Sequence, residues 1–182
     1  MKKKLLIPFL SLSLCIGFSG AASASEDMRA ISPSQNTIQF MNDLAQREDI
    51  PSEINFGTIQ NSTDSDLIVT AEFKNSATGS SEVKISPFPA VPNGSYIDAK
   101  SSTKATNILY SVSAETSIFY SSNGFTNFVN ERYGDRSVGL SSTYSVAGMF
   151  TDKSGAYRTV GTHSVAFGTQ IYYAGTMDTK GK

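Results

Sequence analysis

Two periodicities divide the chain. Between Pro33 and Glu48 the apolar residues Ile38, Met41, Leu44 and Ala45 recur at spacings of three and four, which gathers them on one face of a helix. Ser32-Pro33-Ser34-Gln35 stands before them: a serine to cap the first amides, a proline for the first helical position and a glutamine three residues after the cap. Pro51 closes the segment. The pattern predicts an amphipathic helix over 33–48 that lays its apolar face on the rest of the domain.

Beyond Pro51 the period falls to two. Ile54, Phe56 and Thr58 alternate with polar residues, and Leu67, Val69, Ala71 and Phe73 fall opposite Thr70, Glu72 and Lys74, as in a half-buried antiparallel strand. A turn is expected over Ser76–Ser81 and a short strand over Glu82–Ser86. The run Pro87-Phe88-Pro89-Ala90-Val91-Pro92 holds too many prolines to join a ladder. Asn93-Gly94 and Asn123-Gly124 mark tight turns.

Between those turns Ile108, Tyr110, Val112, Ala114, Ile118 and Tyr120 share one strand face, interrupted near Glu115. FTNFVNERYG, residues 125–134, reads equally as a short helix and as a strand. The last forty residues predict a meander: Tyr144, Val146 and Phe150 on one face, a turn at Asp152-Lys153-Ser154-Gly155, then Tyr157, Val165 and Phe167, then Ile171, Tyr173 and Met177. One helix followed by strands without alternation predicts a mainly β fold, an antiparallel sandwich or barrel-like meander with one N-terminal amphipathic helix.

The first residues change the picture of where such a domain works. Lys2, Lys3 and Lys4 precede an apolar run from Leu5 to Phe18, and Ala22-Ser23-Ala24 offers small residues at alternate positions, the pattern of a signal peptide cleaved after Ala24. Fourteen residues of helix reach about 21 Å, short of the roughly 30 Å of a bilayer core. Leu14 is too large for the position before a lipidated Cys15. The expectation is a secreted, bacterial-type protein, extracellular or loosely associated with the cell wall. Residues 25–32 are expected to form a flexible lead, and 33–182 one domain.

Without the three leader lysines, the 15 basic residues fall to 12 against 16 acidic, a net charge of about −4. The mature chain also loses Cys15, the single cysteine, so a hydrophobic core rather than disulfides has to hold it. Its basic residues are scattered singly, which disfavours nucleic acid as a partner.

Motifs of catalysis are missing. There is no Gly-x-Ser-x-Gly, no phosphate loop and no paired-histidine motif. His163 has Ser164 beside it, but neighbours along a strand point to opposite faces. The carboxylates Glu72, Glu82, Glu115 and Glu131 could serve a two-acid hydrolase, yet nothing in the sequence selects a pair. Asn61–Asp66 clusters oxygen ligands but lacks the glycine and distal glutamate of a calcium loop. No metal or organic cofactor is expected.

Binding chemistry is better represented. Tyrosine combines apolar area with a polar tip, and Tyr133, Tyr144, Tyr157, Tyr172 and Tyr173 with Arg132 and Arg136 are the candidate contact residues for a protein or glycan at a cell surface. A membrane-active alternative uses the Ser/Thr-rich segment 141–167 as a lipid-entering hairpin. Its limbs have the roughly 9 to 11 residues a spanning strand needs, but Thr159, Gly161 and His163 interrupt one face of the second limb and Arg158, Thr162 and Ser164 the other.

Overall fold

The computed structural model describes residues 34–56, 77–106, 108–167 and 170–182. The expected signal peptide, the lead 25–32, the strand around Leu67–Phe73 and the oxygen cluster 61–66 lie outside them. The described chain is one helix and nine strands: α1 (Gln35–Ala45), β1 (Glu53–Asn55), β2 (Ala77–Pro87), β3 (Ser95–Ala105), β4 (Ser111–Ser121), β5 (Val129–Tyr133), β6 (Ser137–Leu140), β7 (Ser142–Thr151), β8 (Ala156–Phe167) and β9 (Gln170–Gly181). The strands form two antiparallel sheets, β1-β2-β3-β7 and β5-β4-β8-β9, with β6 also paired to β4.

Helix α1 begins later than its sequence predicts. Ser34 is the cap, its Oγ accepting the amide of Thr37 at 3.2 Å, and the last turn closes at Gln46 rather than Glu48. Met41, Leu44 and Ala45 are buried as the spacing requires. They rest on the outer face of the second sheet with Phe119, Val160 and Met177, and Leu44 fills the space that a side chain at Gly175 would occupy.

Arg158 of β8 ties down the helix end. Its Nη1 donates to the carbonyls of Ala45 at 2.6 Å and Arg47 at 2.9 Å, its Nε donates to Thr179 Oγ1 at 2.8 Å, and its guanidinium lies 3.9 Å from the Phe128 ring centroid. The carbonyls at a helix C-terminus lack intrahelical partners and carry partial negative charge. A buried cation is therefore satisfied there, although desolvation lowers its pKa.

Alternation places the remaining core. On β3 every second residue from Ser95 to Ala105 is buried, and on β4 both faces are covered, by the opposite sheet and by α1 with Phe128. Between the sheets, Val83, Ile97, Ala99, Ile118, Ala147 and Tyr157 fill one end. Ala77, Ala105, Tyr110, Val112 and Val165 fill the other.

Two local expectations change, and one open reading is decided. Ala77 to Ser81 is strand rather than turn, because β3 supplies eleven paired positions opposite β2. Residues 129–133 are strand, hydrogen-bonded to β4. Most consequentially, segment 141–167 is not a hairpin: β7 pairs with β3 in one sheet and β8 with β4 and β9 in the other. The turn at Asp152–Gly155 crosses between sheets, and of the expected meander only β8 and β9 remain adjacent partners. Ser141, at φ 58, makes the complementary crossing from β6 into β7.

Candidate functional site

Among the described residues, the outer face of the first sheet carries a group of aromatic side chains that are exposed or half-buried. The segment from Phe88 to Gly94 joins β2 to β3 outside the ladder, as its prolines dictate. Gly94 N donates to Val91 O at 2.8 Å and Phe88 N to Gly94 O at 2.8 Å. Pro92 and Asn93, the latter at φ 56, occupy the two central positions of a turn that favours proline first and a left-handed residue second. A side chain at Gly94 would collide with Val91. The loop therefore folds Val91 back beside Phe88.

Register brings β7 against this loop. Phe150 is opposite Tyr96, and its ring centroid lies 4.6 Å from that of Phe88 and 4.8 Å from that of Tyr96, the planes tilted by 51° and 53°. Gly148 makes the arrangement possible, since the Tyr96 hydroxyl lies where a Cβ would be. Phe88, Val91, Ser95, Phe150, Thr151 and Asp152 line a hollow of about 210 Å³. Along β7 the same face continues through Val146 to Tyr144, over whose ring Lys100 Nζ stands at 5.0 Å. Phe150, Tyr144 and Val146 are 62%, 59% and 51% exposed.

The seven residues chosen from the sequence separate. Tyr144 belongs to this row. Tyr173 is exposed on β9 of the other sheet. Tyr157 and Tyr172 are core residues and offer no contact surface: Tyr157 donates to Lys153 O at 2.9 Å between the sheets, and its burial pushes the phenol pKa up. Tyr133 is half-buried beside α1, its hydroxyl donating to Asn42 Oδ1 at 3.2 Å. Arg132 is exposed on β5. Arg136 sits with its Nε 3.4 Å from Glu115 Oε1; burial raises the Glu115 carboxyl above its usual range, and Arg136 only partly offsets this. Phe88, Tyr96 and Phe150 were not among the candidates. Their signal was an aromatic set between prolines and on a strand face already read as shared, but strand pairing was needed to unite them.

The histidine is interior. His163 Nδ1 meets Thr103 Oγ1 at 2.9 Å and Nε2 meets Thr176 Oγ1 at 2.7 Å. Thr103 spends its hydrogen on Ser113 O at 2.7 Å, so it accepts from Nδ1–H, and Nε2 accepts from Thr176. Thr176 in turn accepts from Ser81 at 2.6 Å, and Ser101 donates to Thr116 at 3.0 Å. This polar waist joins the sheets between the two apolar ends. Desolvation drives the imidazole pKa down to about 3, so it is neutral at physiological pH. Ser164 faces away from it and bonds Ser113 Oγ at 2.6 Å.

Among the described residues, no three His, Cys, Asp or Glu side chains are placed to hold a metal ion, and no helix is long and apolar enough to cross a membrane. No protein-family model matches the chain, and none of the curated proteins does.

Proposed function

We propose that this is an exported bacterial-type β protein that acts by binding, at a cell surface or in the surrounding medium, rather than by catalysis. The carrying observation is the outer row of Phe88, Tyr96, Phe150, Val146 and Tyr144, an aromatic and aliphatic face left open on a sheet whose other face is fully packed. Contiguous exposed apolar surface marks interaction sites. In this reading the two sheets form a sandwich with a covered side, under α1, and a recognition side, along β7 and β3. Export rests on the pattern of residues 1–24.

Two features favour binding over the alternatives. Releasing 141–167 into a bilayer would require pulling β8 from between β4 and β9 and breaking the Arg158 contacts to the helix end. For hydrolysis, Glu82, Glu115 and Glu131 are each engaged with their own cation, Lys84, Arg136 and Lys153.

The test is capture of envelope fractions from the producing cell and its neighbours by immobilised protein, compared with the Tyr144→Ser/Phe150→Ser variant. The expected result is retention lost in the variant with the melting transition unchanged. Equal capture by both proteins, or dye release from lipid vesicles by the unaltered chain, would overturn the proposal.

A further inference from the structure

We propose that the hollow between the Phe88–Gly94 loop and the end of β7 is a binding site for a quaternary ammonium group. This assignment rests on the outer row being the recognition face and names the chemistry it takes at one end.

Three observations converge on a small organic cation. The two phenylalanines that line the hollow are inclined by 51° at a centroid separation of 4.6 Å. They make a corner rather than a flat platform, and the negative faces of aromatic rings attract alkylammonium groups. Asp152 lines the same hollow, and its carboxylate makes no ion pair among the described residues. At about 210 Å³ the space is below the roughly 300 to 1,000 Å³ of sites for drug-sized ligands, which suits a head group.

Ser95 and Thr151 are the two lining residues with a side-chain donor, too few for a sugar. Thr151 Oγ1 is shared between Tyr157 Oη at 3.0 Å and the Lys153 amide at 3.1 Å. Lys182 Nζ, at the border of the hollow, donates to Asn93 O at 2.8 Å and Thr151 O at 3.2 Å. A polyhydroxylated ligand needs donors as well as acceptors, whereas a trimethylammonium group needs ring faces and one carboxylate. Lys182 also lies where it favours a phosphate attached to the ammonium, so phosphocholine is expected to bind more tightly than choline.

Titration calorimetry of the protein with phosphocholine, choline and phosphoethanolamine tests the assignment. Expected are saturable one-site binding of phosphocholine, weaker choline, and phosphoethanolamine at least tenfold weaker than phosphocholine. Asp152→Asn and Phe150→Leu should each weaken phosphocholine at least fivefold; both side chains are exposed, so folding is preserved. Vesicles of phosphatidylcholine against phosphatidylethanolamine, and a trimethyl-lysine peptide, distinguish a lipid source from a soluble or peptide one. Equal affinity for the primary and quaternary ammonium, or phosphocholine binding untouched by Asp152→Asn, would overturn it. Envelope capture lost in the row variant yet not competed by phosphocholine would remove this assignment and leave the binding face standing.

Discussion

His163 on β8 and Thr103 on β3 meet at 2.9 Å and join the two sheets through the middle of the core. The contact is directional, because Thr103 has already given its hydrogen to Ser113 O. The imidazole is thereby held as the Nδ1–H tautomer, with Nε2 accepting from Thr176.

Stability should therefore fall in mild acid. The folded pKa, about 3, is below the unfolded value of 6.5, so between these pH values the unfolded chain binds the extra proton. His163 then contributes a loss of up to about 1.4 kcal/mol per pH unit as pH drops from 6.5 towards 3. Nitrogen NMR of the chain's single histidine should show an Nδ1–H imidazole that does not titrate between pH 5 and 8. A midpoint near 6.5 in the folded protein would refute it.

Gly79 is the space-maker for this ring. A Cβ there would lie 2.6 Å from Cγ and 2.8 Å from Cδ2 of the His163 ring, which its two threonine hydrogen bonds hold in place. Gly79→Ala is expected to destabilise by about 1–3 kcal/mol, the range for overpacking a core, seen as a lower urea midpoint. It should also shift the His163 ring resonances, which a purely local strand effect would leave in place.

Arg158 couples the second sheet to α1. Replacing it by Met removes three hydrogen bonds made by a buried guanidinium. With bonds to charged groups worth about 1.5–3 kcal/mol, the expected overall loss is about 3 kcal/mol, with earlier protease cleavage at Arg47. An unchanged denaturation midpoint would show that the helix end is satisfied without it.

Glu115 should act in the sense opposite to His163. Its folded pKa is raised by burial above the ordinary 4.5, so the folded state holds the proton longer, and stability is lost as pH rises from 4.5 through the folded value. Glu115→Gln mimics the protonated form and should raise the melting temperature at pH 7, with the gain shrinking towards pH 4. A lower melting temperature at pH 7 would mean that the Arg136 pairing outweighs desolvation.

Much of the fold was legible because burial leaves a period. Met41, Leu44 and Ala45 announced the covered face of α1, and Val112, Ala114 and Ile118 the inward face of β4. Alternation also predicted that His163 and Ser164 part company, and the loop prolines kept 88–94 out of the ladder. It did not tell inward from outward. Tyr144, Val146 and Phe150 share a face as expected, but that face is the open one, whereas Tyr157 is wholly buried.

The sequence by itself determined element type where a period was present, as in α1, β4 and β7, because a period of two or of three to four is a local property of neighbouring residues; it misread 77–81 as turn and left 125–134 open. Partners, and with them the candidate site, were decided only by tertiary structure. β7 and β8 are joined by a four-residue turn yet pair with β3 and β4 in different sheets, since backbone hydrogen bonds are alike in every strand and carry no identity. What selects among pairings is the fit of side chains across the layers: Gly148 under Tyr96, Gly79 against His163, Gly175 beneath Leu44. That same selection sets Phe88 and Phe150 side by side, sixty-two residues apart in the chain.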